Sequence, residues 1–331
     1  MNTVTLKKVL RSLARTGALQ VPQIRKLVAD LDSLRQEVAR LQEASRHING
    51  SESPAFGFAP PGHFYSPIPS LEDVRKREAQ LFRIPSRSIP GIDLNEDAQL
   101  ALLDRFKAFY DEQPFTGTKV PGHRYFFENP AYSYTDALFL YCMIRHARPK
   151  RIIEVGSGYS SCVTLDTNEL YFGNQIACTF VEPYPNLLVS LLQEDDLRRI
   201  EIITSPLQEL DIGRFSELEK NDILFIDSTH VSKIGSDVNM ILLEILPSLQ
   251  AGVYIHFHDI FYPFEYPAQW IYEGRAWTEA YLLRAFLEFN NNFEIVFFTT
   301  FLEIFHAERF AREMPLCLKN LGGSIWLRRV A

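Results

Sequence analysis

From Arg151 to the end of the chain, short apolar runs rich in β-branched and aromatic residues alternate with longer segments of helical spacing. The runs fall at residues 151–155, 176–181, 200–204, 222–227, 252–258, 293–299 and 324–328. Most intervals between them are long enough for parallel crossovers. The pattern therefore predicts an α/β fold, a doubly wound seven-stranded mostly parallel sheet with helices on both faces and ligands at the carboxyl ends of its strands. Upstream, Leu100, Leu103, Phe106 and Phe109 predict a helix over 95–112 with Asn95 as its N-cap. Ala137, Leu138, Leu140, Tyr141 and Ile144 predict another over 135–146, which Pro149 ends before the first strand.

The beginning of the chain reads differently. Ile24, Leu27, Leu31, Leu34, Val38, Leu41 and Ile48 follow a heptad rhythm, so residues 24–48 are expected to form a short coiled coil that joins copies of the chain into a homo-oligomer. Before it lies a basic amphipathic stretch with Lys7, Lys8, Arg11 and Arg15 and no acidic residue through residue 29. A solvated helix is favoured there over peripheral membrane contact of residues 1–20. Prolines, glycines and aromatics crowd residues 47–70. The organisation expected is an N-terminal helical and coiled-coil segment over 1–50, a Pro- and aromatic-rich linker with a helical cap over 51–130, and the α/β domain over 131–331.

Composition narrows the function. A net charge of -7 and a hydrophobic content of 46% fit a globular protein and argue against nucleic acid as a partner. Cys142, Cys162, Cys178 and Cys317 show no metal-ligand or disulfide spacing. With no signal-like apolar core and no apolar run of ~18 residues, the reading is a cytoplasmic protein.

The chemistry gathers at the predicted strand ends. The first run stops at Glu154 and turns through Gly156-Ser157-Gly158 into Tyr159 and Ser160. Glycines let backbone amides approach a ligand, although a tight strand-to-helix turn uses them as well. The second run ends at Glu182-Pro183, about 26 residues beyond Gly156, where an acid suits the two hydroxyls of a ribose. Ser205 and Leu207 follow the third run and are placed for an adenine edge and face; Asp227 and Ser228 close the fourth.

Together IIEVGSGYSS, VEP and DILFIDSTH resemble the class I S-adenosylmethionine-dependent methyltransferases over about residues 130–331. Within that class FIDSTHVSKIGSDV and YIHFHDIF are most similar to small-molecule and sugar O-methyltransferases related to macrolide glycoside modification. The resemblance implies S-adenosylmethionine held by Glu154 to Ser160 at its methionine end and by Glu182 at its ribose, a small-molecule acceptor, and an antiparallel final strand. It also implies a divalent metal on Asp227 and an acidic pair after the fifth strand. Here that pair is His258-Asp259, so the metal set becomes Asp227, His258 and Asp259, and histidine suits transition metals better than magnesium. The other reading is metal-free, with His258 as general base assisted by Asp259 or His230. His256, on the same strand face as His258, is expected to be structural. Two further functions stay open: cyclisation or transfer of the aminobutyryl group of the same cofactor, and a non-catalytic oligomeric scaffold.

Overall fold

In a computed structural model, residues 58–83 and 85–331 are described. The basic stretch and the heptads of 24–48 lie outside them. The chain divides into two units between Arg77 and Glu78. Of the first, the described part is a turn-rich stretch leading into a helix, Leu71–Lys76, whose N-cap Ser70 accepts the Asp73 amide through its hydroxyl.

The second unit holds a seven-stranded sheet: β1 (Arg151–Val155), β2 (Ala177–Val181), β3 (Glu201–Ile203), β4 (Ile223–Ile226), β5 (Tyr254–His258), β6 (Phe293–Phe298) and β7 (Ser324–Arg329). Their order is β3-β2-β1-β4-β5-β7-β6. The first five are parallel, and β7 runs antiparallel to both β5 and β6, as the resemblance implied. Strand order reverses between β1 and β4. Because crossovers are right-handed, the reversal sends successive helices to opposite faces and opens a crevice at the carboxyl ends of β1 and β4.

The longer helices before the sheet are α1 (Glu96–Tyr110) and α2 (Tyr134–Ala147), and α3 (Tyr159–Phe172) leaves the glycine turn. Asn95 stands at the N-cap of α1 but is left-handed and makes no capping bond; its side chain donates to the Ile295 carbonyl instead. All four cysteines are free and buried, consistent with their reading as small apolar residues. Arg124 is buried and grips Asp166 of α3 at 2.7 Å and Asp196 at 2.6 Å, with Glu169 at 2.8 Å. Fully paired in this way, a buried guanidinium fixes the segment before α2 against α3. That segment carries Tyr132, which lines the crevice.

Candidate active site

The crevice is built from backbone first. The Gly156 amide donates to the Val181 carbonyl at 3.0 Å and the Asp227 amide to the Val155 carbonyl at 2.9 Å, extending the ladder past the strand ends. A Cβ on Gly156 would lie 1.8 Å from the Asp227 carbonyl oxygen, and Gly156 is left-handed at φ 80. Gly156 is thus required by the neighbouring strand itself. Gly158 is different: its Cβ would meet only a Leu187 methyl at 3.4 Å.

Glu154, fully buried behind this turn, accepts the hydroxyls of Ser160 at 2.6 Å and Ser161 at 2.8 Å on one oxygen. Ser161 in turn accepts the Gly158 amide at 3.1 Å. Glu154 therefore shapes the loop from behind, while Gly156, Ser157, Gly158, Tyr159 and Ser160 line a cavity of about 190 Å³ with Tyr132 and Asp227. A second cavity of about 360 Å³ is lined by Pro183, Leu207, Ser228, Tyr184, Gln208 and Asp237, among others. Gly156, Glu182 and Asp227 belong to both, which joins them into one site. Ser205 stays outside either lining, displaced by Pro206, Leu207 and Gln208. Glu182 accepts the Ser157 amide at 3.1 Å and the Tyr184 amide at 2.8 Å. Those two bonds hold its carboxylate where the cavities meet.

Beyond β4 and β5 the titratable groups converge. His230 and Asp259 both adopt left-handed backbone, φ 59 and 57, which turns their side chains back toward Asp227. His230 Nε2 lies 3.3 Å from Asp227 and 3.8 Å from Asp259, and its Nδ1 meets buried Glu279 at 2.8 Å. Burial alone would lower the His230 pKa, but Asp227 and Glu279 outweigh it and lift it to about 10. With carboxylates at both nitrogens, His230 holds its proton and is poorly placed to act as a base.

His258 is buried beside the Tyr132 ring, 5.1 Å between centroids, with Nε2 3.5 Å from Asp259 and Nδ1 without a partner. Burial opposes its charge, yet Asp259, Asp227 and Asp136 raise its pKa. His256 is sandwiched against Phe225 and Trp326 and held neutral, its pKa lowered by burial. It packs the core, as expected.

A metal would find its donors in Asp227, His230 and Asp259, whose ligand atoms all lie within 4.8 Å of one another. His230 rather than His258 completes that set among the described residues. A divalent cation there would have to replace the Nε2 proton, with Glu279 behind Nδ1 orienting the imidazole. Glu279 was not assignable beforehand: 49 residues separate it from His230, and no local pattern marks the pairing.

Residues 153–260 match a family described as "Methyltransferase domain". Those residues form a methyltransferase domain. The chain shares a family with a protein of Archaeoglobus fulgidus described as uncharacterized, to which it is 38% identical over 171 residues, 50% of this chain and 75% of that one. Among solved structures the methyltransferase is similar to the SAH-bound Podospora anserina methyltransferase PaMTH1, at 14% identity and TM-score 0.39, covering 78% of this chain and 96% of that chain. It is similar too to a Bacillus cereus O-methyltransferase in complex with SAH, at 13% identity and TM-score 0.39, covering 78% and 97%.

The same buried groups set how this methyltransferase responds to pH. Burial raises Glu154 and Glu303 to about 8 each, and His230 rises to about 10. All three hold protons in the folded state that the unfolded chain releases at lower pH, so their stabilisation is lost as pH rises through those values. The melting temperature is expected to fall steadily from pH 7 to pH 10, and less steeply through pH 8 in Glu154→Gln. A profile flat or rising over that range in scanning calorimetry would contradict these assignments.

Proposed function

We propose that the protein transfers the methyl group of S-adenosylmethionine to an oxygen of a small-molecule or sugar-containing acceptor. The observation that carries the reading is the joined cavity at the β1/β4 crevice, with Glu182 at its centre and His258 beside its Tyr132 wall. The larger compartment suits the adenosine, with Glu182 on the ribose and Leu207 and Tyr184 against the base. The smaller suits the methionine, whose ammonium and carboxylate would meet the polar turn of Ser157 to Ser160.

Methyl transfer from a sulfonium is an in-line displacement, so the protein's work is alignment and removal of the acceptor proton. His258 is the base in this reading, and Asp259 stabilises the imidazolium that forms. His230, tied to Glu279, presents positive charge between Asp227 and Asp259. A divalent metal would take the place of the His230 Nε2 proton, held by Asp227, His230 and Asp259, and would supply Lewis acidity toward the acceptor hydroxyl.

Glu182 gives the direct test. Glu182→Ala removes one of the two carboxylates, with Asp227, that line both compartments and is expected to weaken S-adenosylhomocysteine binding by about tenfold to a hundredfold, near the loss of a charge-assisted pair. Calorimetry in which the variant binds as tightly as the parent would remove the ribose assignment. Residues 24–48 are proposed to join copies of this cytoplasmic protein. Light scattering should show the full chain as an oligomer and a chain lacking residues 1–50 as a smaller species; equal masses per particle, corrected for length, would refute it.

A further inference from the structure

A third cavity, of about 350 Å³, shares no lining residue with the two that form the crevice. Its walls come from Leu81, Phe82, Arg83 and Pro85, from the loop after Asp259, and from the helix Thr299–Phe305 that follows β6. Phe82, Phe261, Tyr262 and Tyr266 supply aromatic surface, and Glu303 of the helix is the buried acid in the lining. The loop is fastened to the helix where the Tyr262 amide donates to the Thr300 hydroxyl at 2.7 Å, so the walls are held in place without a ligand.

Glu303 is 6% exposed. One of its oxygens accepts the Gly322 amide at 3.0 Å, and the other has no hydrogen-bond partner. A buried carboxyl oxygen left without a donor is unfavourable, and the fold alone gives no reason for it. Among the described residues lining the cavity Arg83 is the one cation, and it is exposed. Asp136 adds further negative charge near Glu303. An acid with one oxygen left unpaired and walled by aromatic rings is the chemistry that recognises organic cations, since the ring faces and the carboxylate attract the same charge.

We propose that this cavity is a binding site for a small amine with an aromatic or alicyclic body, its ammonium paired with Glu303. The site adjoins the reactive cluster through Gly323, which packs between the Phe261 ring and Asp259. It does not depend on the methyl-transfer reading. Burial holds the Glu303 carboxyl near 8, so at neutral pH it is mainly protonated before the ligand arrives. An ammonium favours the carboxylate, and the proton leaves to the buffer.

The test is calorimetry on the full chain with 2-phenylethylamine and its uncharged counterpart 2-phenylethanol. The amine is expected to bind at least tenfold more tightly, with an enthalpy that changes with the buffer's ionisation heat because a proton is released. Glu303→Gln should erase the preference, and Ala268→Trp, which fills the cavity from its wall, should abolish binding of both. Both variants should keep the parent's circular-dichroism spectrum, reporting an intact fold. Equal affinities for amine and alcohol, no amine binding at millimolar concentration, or a Glu303→Gln chain that retains the preference would each overturn the proposal.

Discussion

Gly156→Ala is expected to lower the melting temperature by roughly 5–15 °C and to abolish cofactor binding. The reason is local and quantitative. The new Cβ would overlap the Asp227 carbonyl oxygen at 1.8 Å, and an alanine at φ 80 is strained besides. The backbone strain costs ~1–2 kcal/mol and overpacking ~1–3 kcal/mol, against a total stability of ~5–15 kcal/mol. Because β1 and β4 pair in parallel, relief requires moving Asp227 and with it the meeting point of the two cavities. Gly158→Ala is the matched control. Its Cβ meets only Leu187 at 3.4 Å, so the melting temperature should stay within ~2 °C of the parent. Its cofactor affinity should nevertheless fall, since the space the methyl group takes is cavity lining. Thermal melts and calorimetry on the pair separate the glycine the fold needs from the glycine the ligand needs. Equal stability of the two variants would contradict the distinction.

His258→Ala is expected to reduce turnover by ~10²–10⁴ while leaving S-adenosylhomocysteine affinity within about twofold, the signature of a lost general base. His256→Phe should behave in the opposite sense, altering stability with little effect on turnover, because His256 touches Phe225 and Trp326 and makes no hydrogen bond. Single-turnover methyl transfer measured against pH distinguishes them. A His258→Ala enzyme with parental turnover would remove His258 from the proton path.

The sheet was legible in the sequence because its strands are short apolar runs with turn residues at both ends. Each of the seven expected runs is a strand, within two residues at either end. The crevice was legible for the same reason, since the residues following β1, β2 and β4 must meet at the reversal of strand order. What escaped were contacts that no period encodes. Glu279 reaches His230 from the start of the helix Glu279–Leu287, and Arg124 gathers Asp166 and Glu169 from α3 and Asp196 from the segment between β2 and β3. Tyr132 walls the cavity from the turn before α2, a placement that the tertiary fold sets. The expected metal set named His258 by its adjacency to Asp259. Left-handed backbone at His230 brings that side chain back under Asp227, and pattern reading does not register a single residue at positive φ. Asn95 shows the converse: a residue type suited to capping stands at the cap position but bonds across to β6.

The central claim is donor chemistry at the β1/β4 crevice, and product analysis tests it most directly. The full-length enzyme, incubated with methyl-labelled S-adenosylmethionine and an extract rich in hydroxylated small molecules, should release S-adenosylhomocysteine in step with label appearing in an acceptor. Methylthioadenosine as the sole nucleoside product, with the label retained on its sulfur, would contradict it.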